Sequence, residues 1–187
     1  MQEKLKRNFF DNCVQDFLYP QEKVIKIESL LKKIDLREPI LDLGCGTGVV
    51  LRIFKGCNIW GCDFSFNMLK FARYECRKLI CADAHSLPFK DGVFSTVLCF
   101  QSFPHFDDKL QALSEMERVI KSGGQVLIIH LEDRNSLNRF HRRIREVEND
   151  FLPSLRSLKK ILCRLALRVV EFRNSQEGYI LRLKKYA

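Results

Sequence analysis

Long apolar runs are missing from this chain. Val93–Phe100 and Val126–Ile129 are among the most apolar stretches, and both fall far short of the ~20 residues a helical membrane span needs. Its eight cysteines, at positions 13, 45, 57, 62, 76, 81, 99 and 163, include no Cys-x-x-Cys pair. That absence argues against a zinc ribbon or a thioredoxin-type motif, and no metal centre is expected. Cys62, Cys81 and Cys99 lie in apolar strand-like runs, where a free thiol behaves as a small hydrophobe. Met1–Arg7 is charged and leads into no apolar signal core. With reduced thiols, this makes the cytoplasm the expected location. No Gly/Ser-rich linker, repeat or low-complexity tract interrupts the sequence, so residues 1–187 read as one domain. Disorder over most of the length is excluded by 15 Phe and a 46% hydrophobic content.

Charge is unevenly placed. Residues 1–133 carry 18 basic and 18 acidic side chains, whereas residues 134–187 carry 14 basic and 5 acidic ones. The whole net charge of +9 therefore comes from the C-terminal part. Such asymmetry is read either as solvated basic helix faces or as a docking surface for an anionic partner such as RNA.

Hydrophobic spacing alternates between the two periods of regular structure. Val24–Ile34, Gly48–Phe54, Ser65–Arg77 (with Ser65 as cap) and Asp107–Ile120 read as helices. Ile40–Leu43, Asn58–Cys62, Leu79–Ala82, Val93–Phe100 and Val126–His130 read as strands, with Gly123-Gly124 ending the helix before the last of them. Beyond His130, Leu137, Phe140, Ile144 and Val147 form one helical stripe, and Leu155, Leu158, Ile161, Leu162 and Leu165 another. Leu167–Phe172 and Tyr179–Leu183 read as a terminal antiparallel hairpin. Strands alternating with helices predict βαβ units, and hence a three-layer α/β domain with a mostly parallel sheet. Residues 1–38 form an N-terminal helical segment. There Phe9, Phe10, Phe17 and Tyr19 either make an aromatic lid or pack as an ordinary helix. Residues 39–133 form the core, and 134–187 the basic helices and hairpin.

The strongest motif is Leu41-Asp42-Leu43-Gly44-Cys45-Gly46-Thr47-Gly48, between a predicted strand and a predicted helix. Glycines there allow a tight turn and let a ligand approach the backbone closely. Asp63, at the end of the second strand, is placed to accept both hydroxyls of a ribose. Asp83-Ala84, ending the third strand, can offer a carboxylate to an adenine amino group. Position 49 is Val, so the dinucleotide spacing Gly-x-Gly-x-x-Gly is not met and a nicotinamide oxidoreductase is disfavoured.

Taken together, Leu41–Gly48, Gly61–Ser65 with Met68-Leu69, Ala82–Phe89 and Ile120–Gly124 resemble the class I S-adenosylmethionine-dependent methyltransferases, of the small type similar to quinone-biosynthesis methyltransferases. The resemblance implies a Rossmann-like, doubly wound sheet of seven strands with the last hairpin antiparallel. It implies S-adenosylmethionine as cofactor and S-adenosylhomocysteine as product. Gly44, Cys45, Gly46 and Gly48 would surround the methionine part, with Asp42 organising the loop. Asp63 would take the ribose, Phe64 and Met68 would lie near the adenine, and Asp83 with Ala84 would meet its edge. Phe100, Gln101 and Ser102 would face the sulfonium.

Methyl transfer needs a general base only where the nucleophile must lose a proton. The candidates are histidines. His105 lies on the loop after the fourth strand, and His130 ends the fifth. His141 points with the apolar stripe, either as a satisfied core histidine or as a pocket wall beside His130. His85 is read as cofactor-side or exposed. The leading functional expectation is methyl transfer to a small molecule. Alternatives are an RNA or protein methyltransferase docking through Arg139, Arg142, Arg143, Arg145, Arg156, Lys159 and Lys160, and a non-catalytic S-adenosylmethionine-binding protein.

Overall fold

A computed structural model describes residues 2–186, with side chains from Lys6 onward. Seven strands form one sheet: β1 (Ile40–Leu43), β2 (Ile59–Asp63), β3 (Leu79–Cys81), β4 (Phe94–Phe100), β5 (Ile120–His130), β6 (Leu167–Ser175) and β7 (Gly178–Lys185). Their order is β3-β2-β1-β4-β5-β7-β6. The first five strands run parallel, and β7 pairs antiparallel with both β5 and β6. The chain winds outward in one direction through β1, β2 and β3, then returns to the other side of β1 with β4. The crevice between the carboxyl ends of β1 and β4 is therefore the topological switch point, where open α/β sheets bind ligands.

The layers follow from side-chain alternation along the strands. Leu41, Leu43, Val97, Cys99, Val126 and Ile128 point to one face, where they pack with Leu113 and Met116 of α5 (Lys109–Val119), Leu137 of α6 (Arg134–His141) and Leu158 and Leu162 of α7 (Leu155–Leu162). Ile40, Ile59, Leu98, Phe100, Leu127 and Ile129 point to the other face. They meet Ile27 and Leu31 of α2 (Gln21–Leu31), Val50 and Leu51 of α3 (Val49–Ile53) and Leu69 and Ala72 of α4 (Phe66–Ala72). The predicted α/β architecture is thus the one observed. A further helix, α1 (Gln2–Asn12), brings Phe10 and, beyond it, Val14 against Met68 and Val147 in a small separate cluster. No helix among the described residues is long and apolar enough to cross a membrane.

Helix starts are set by side-chain caps. Ser65 accepts from the Met68 amide, Asp108 from Gln111, Asp133 from Asn135 and Ser136, and Ser154 from Ser157. Each satisfies amide donors that a helix N-terminus leaves open.

Several boundaries differ from the sequence reading. α4 stops at Ala72, five residues before the predicted end at Arg77. β5 begins at Ile120, immediately after α5, so Gly123 and Gly124 lie inside the strand and do not separate helix from strand. Pairing jumps from Phe94↔Ile120 to Thr96↔Gln125, and the four residues between are accommodated as a bulge. The stripe Leu137–Val147 is not one helix: α6 ends at His141, and a 3-10 turn follows at Arg145–Val147.

The segment between β3 and β4 has no regular structure and is pinned by Arg118 of α5. Its guanidinium donates to the carbonyls of Leu87 (2.9 Å) and Phe89 (2.7 Å) and pairs with Asp91 and Glu115. Glu115 in turn accepts from the Leu87 amide at 2.7 Å, and the Arg118 hydrogen bond holds its carboxyl below the ordinary value. A planar fork reaches all four acceptors at once, which a lysine cannot do. Arg118→Ala is expected to cost about 2 kcal/mol by urea denaturation, with little rescue in Arg118→Lys. An unchanged midpoint in the alanine variant would show that the segment is held by packing alone.

Candidate active site

At the carboxyl ends of β1, β2 and β4 lies a cavity of about 300 Å³. The glycine loop after β1 forms its floor. Asp63, buried at the end of β2, fixes that loop: its Oδ2 accepts from the Gly46 amide at 2.8 Å, and its Oδ1 from the Ser65 amide at 2.9 Å. Burial raises the Asp63 carboxyl to about 6, against the opposing effect of the Ser65 and Gly46 amides. Asp42 also lines the cavity, fully buried, with neither carboxylate oxygen hydrogen-bonded. Burial, and then the neighbouring Asp63 charge, pushes its carboxyl well above the carboxylate range. The loop is therefore organised by Asp63, and the expectation that Asp42 organises it is corrected.

The glycines divide by role. At Gly44 (φ +74°) a Cβ would stand 2.4 Å from the Ser102 Cβ, so the β1 loop and the loop after β4 touch only because no side chain intervenes. At Gly46 (φ +53°) a Cβ would meet nothing within 4 Å, which leaves open room in the cavity floor. Gly48 does not line the cavity. It is the left-handed cap of α3, packed on Ala72 of α4, so its placement beside the cofactor is corrected to a structural one. Asp42, Gly44, Cys45, Gly46, Asp63, Phe64, Met68, Asp83, Ala84, Phe100 and Gln101 all line the cavity.

Gln101, directly after β4, has φ +59° and is the non-glycine residue in the left-handed region among those described. Its side chain bridges two strand ends, accepting from the Leu131 amide at 2.9 Å and donating to Glu132 at 3.3 Å. Backbone of this kind is held in place only where the surroundings over-determine it. On the other wall, His85 donates from Nδ1 to Asp83 at 2.5 Å and accepts at Nε2 from the Asp108 amide at 3.1 Å. His85 thereby orients Asp83 at the cavity edge.

The N-terminal aromatics close the cavity. Phe10, Phe17 and Tyr19 line it and Phe9 does not; Thr47 of the glycine loop donates to the Phe17 carbonyl at 2.7 Å. This is the lid arrangement for three of the four residues.

The three histidine candidates separate. His105 lines the cavity, whereas His130 and His141 do not; the pocket-wall reading of His130 is corrected, and of the two readings of His141 the core one is observed. His130 is buried against Tyr179, with both ring nitrogens unpartnered. Burial first, then His105 and His141 nearby, holds it well below the ordinary histidine value. His141 is a core histidine: its Nδ1 lies 2.5 Å from the Asp150 carbonyl, and its ring is 5.0 Å from that of His105. His105 Nδ1 lies 2.8 Å from Asp150 Oδ2, while the other Asp150 oxygen pairs with Lys6 at 2.5 Å. Lys6 also pairs with Asp107. Burial holds His105 below its ordinary value, with Asp150 opposing. Burial alone would raise Asp150, but His105 and Lys6 outweigh it and hold the carboxyl low.

Sequence reasoning missed Lys6 and Asp150. Lys6 looked like part of a charged leader, and Asp150 is 45 residues from its histidine. No local signal set it apart, since it closes a short acidic run with Glu146 and Glu148.

Residues 41–128 match the methyltransferase domain family. An uncharacterized protein of Methanocaldococcus jannaschii is 34% identical over 150 residues, covering 79% of this chain and 59% of that protein. A demethylmenaquinone methyltransferase of Thermotoga maritima is 38% identical over 100 residues, 50% of this chain and 44% of that enzyme. A mouse tRNA (carboxymethyluridine(34)-5-O)-methyltransferase is 29% identical over 146 residues, 73% of this chain and 22% of that protein. The chain thus spans at most 59% of the length of these relatives. Among solved structures, a SAM-dependent methyltransferase from Thermotoga maritima superposes with a TM-score of 0.79 at 17% identity over 100% of both chains, a likeness of fold.

Two expectations follow from the cavity floor. Gly46→Ala has room for its methyl and incurs about 1 kcal/mol for its left-handed backbone, so it folds but weakens S-adenosylhomocysteine binding. Gly44→Ala forces the two loops apart and lowers the melting temperature as well. Equal stability of the two variants would contradict this division. For pH, the ribose hydroxyls that the sequence reading assigns to Asp63 would donate to its ionised form. Affinity is therefore expected to rise from about pH 5 to pH 7 and then level off, with a midpoint near 6. Calorimetry across that range on wild type and Asp63→Asn checks it, and a flat wild-type profile would contradict it.

Proposed function

We propose that this chain is a class I S-adenosylmethionine-dependent methyltransferase, a reading supported by the domain match over residues 41–128, and that it moves the methyl group of S-adenosylmethionine to an acceptor whose nucleophile gives up a proton to His105. The observation that carries this reading is the presence, in one cavity, of a glycine-loop cradle and an imidazole aligned by a buried carboxylate.

The residues present fit the cofactor. Gly46 leaves space where a side chain would stand, and Asp42 lines the cavity with two unpartnered oxygens. The amides of the glycine loop and Asp42 would hold the methionine part, and Asp63 the ribose. Phe64, Met68, Asp83 and Ala84 would hold the adenine, with Phe100 and Gln101 on the sulfonium side. When bound, S-adenosylmethionine supplies a methyl group on an already activated sulfur.

The rest of the chemistry belongs to the chain. Asp150 accepts from His105 Nδ1, which fixes the tautomer and leaves Nε2 as the proton acceptor. Burial keeps that imidazole neutral near pH 7, the state a general base needs. Phe10, Phe17 and Tyr19 exclude water and present aromatic faces that suit a cationic sulfur. Because the cofactor fills part of about 300 Å³, the acceptor group that enters is small. A free small molecule satisfies this, and so does a small group carried on a larger one.

Calorimetry with S-adenosylmethionine, S-adenosylhomocysteine and NAD is the first test. The sulfur nucleosides are expected to bind, about tenfold or more weaker in Asp63→Ala, and NAD is not. Methyl-labelled S-adenosylmethionine is then incubated with the protein and a cell extract separated into metabolite, RNA and protein fractions. Label should enter one fraction, and His105→Asn should lower transfer by about 10²–10⁴ without changing S-adenosylhomocysteine affinity. Binding without transfer into any fraction would make this a non-catalytic cofactor-binding protein. Absence of binding would end the methyltransferase reading.

A further inference from the structure

Helix α6 has two faces of opposite character. Its inner face, Leu137, Asn138 and His141, is buried. Asn138 exchanges two hydrogen bonds with the Leu152 backbone, and His141 stacks against His105 at the cavity wall. Its outer face carries Arg139, Arg142 and, one residue on, Arg143, all exposed. None of the three takes part in an ion pair among the described residues. Between them Phe140 leaves 57% of its surface in solvent.

The surroundings do not neutralise this face. Residues 134–164 hold nine Arg and Lys against three acids. One of the acids, Asp150, is buried on Lys6 and His105. Arg134, Asn138, Arg139 and Arg142 border a surface cleft of about 240 Å³. Unpaired guanidinium forks match the oxygens of a phosphate. An exposed aromatic ring beside them offers a base a surface to stack on, and together these are the two components of single-strand recognition. A membrane is a poorer fit, because the apolar side of α6 is already buried in the protein and Phe140 alone is left to insert.

We propose that the outer face of α6 binds the backbone of a single-stranded nucleic acid, with Arg139 and Arg142 on phosphates and Phe140 under a base. The face lies beside the acceptor end of the cavity, since Phe140 adjoins His141 and the His141 ring is 5.0 Å from the His105 ring. The binding face itself stands independently of methyl transfer.

The test is fluorescence anisotropy of the full chain with a labelled single-stranded RNA of about 16 nucleotides, without cofactor. Affinity is expected to fall with salt, with a log–log slope near −1.4 for the two phosphate contacts. Arg139→Glu combined with Arg142→Glu should shrink that slope by about 1.4. Phe140→Ala should weaken binding by about tenfold with the slope unchanged. S-adenosylhomocysteine binding, read separately, should be the same in all variants and shows that they fold. Overturning results are no RNA binding by the wild type, binding indifferent to these substitutions, or equal affinity for polyglutamate or anionic vesicles. Loss of S-adenosylhomocysteine binding in the wild type would remove the methyltransferase reading and leave this face to be judged on the RNA data alone.

Discussion

Asp63 stands at the end of β2 with one oxygen on the Gly46 amide and the other on the Ser65 amide. Those two bonds join the glycine loop after β1 to the first turn of α4, and the cavity floor exists because they do. Ser65 extends the link, since its hydroxyl caps α4 through the Met68 amide and donates to Asp11 of the N-terminal helix. One buried carboxylate thus sets the loop, the helix behind it and the docking point of the lid. The arrangement has a cost: Asp42 is buried close by, and after burial itself the Asp63 charge further raises the energy of ionising it. An unsatisfied buried polar group costs about 1–3 kcal/mol, and Asp42 has two such oxygens. Together with the left-handed backbone of Gln101, this concentrates unfavourable local structure around the cavity. A ligand that gives hydrogen bonds to Asp42 relieves part of it.

The opposite end of the cavity depends on a second buried carboxylate. Asp150 gathers three distant parts of the chain: Lys6 from α1, His105 from the loop after β4, and, through its backbone carbonyl, His141 from α6. Burial alone would raise the Asp150 carboxyl, but the His105 contact and then the Lys6 ammonium hold it low, and the carboxylate in turn fixes the imidazole. Since Lys6 lies on the helix that also carries Phe10, the Asp150 contact and the aromatic wall of the cavity depend on the same helix.

The parallel order of the sheet, the hairpin and the cofactor loop were legible because each rests on local pattern: period-two apolar runs, and glycines at fixed offsets after a strand. Asp63, Phe64 and Asp83 were legible for the same reason, being strand-end residues next to short signals. Gly48 was misplaced because spacing alone does not tell a glycine facing a ligand from one facing the next helix, here Ala72. The fate of the histidines was hidden more deeply. Strand and helix periodicity say which side chains turn inward, and His130 and His141 do turn inward. Whether an inward position meets a cavity or the core depends on the packing of α6 against the loop after β4. No local pattern reports that contact, and Asp150 and Lys6 escaped notice on the same ground.

Helix α6 explains why the chain's charge lies where it does. In residues 1–133 the acids balance the bases, and several of them act as caps, strand-end carboxylates or partners of Arg118. The inner face of α6 needs no charge, because Asn138 and His141 bond to backbone carbonyls. Its outer arginines form no ion pair among the described residues, and Arg142 alone of them rests on a ring, that of Phe151 at 5.3 Å. Arg139, Arg142 and Arg143 gather at and just beyond the C-terminal end of α6, where they repel one another but complement the helix dipole, while the Asp133 cap fixes the other end. Three exposed arginines clustered without a carboxylate partner, on a helix whose inner face packs His141 beside His105, are explained more economically by a phosphate-bearing partner than by solvation, which scattered charges of either sign would provide.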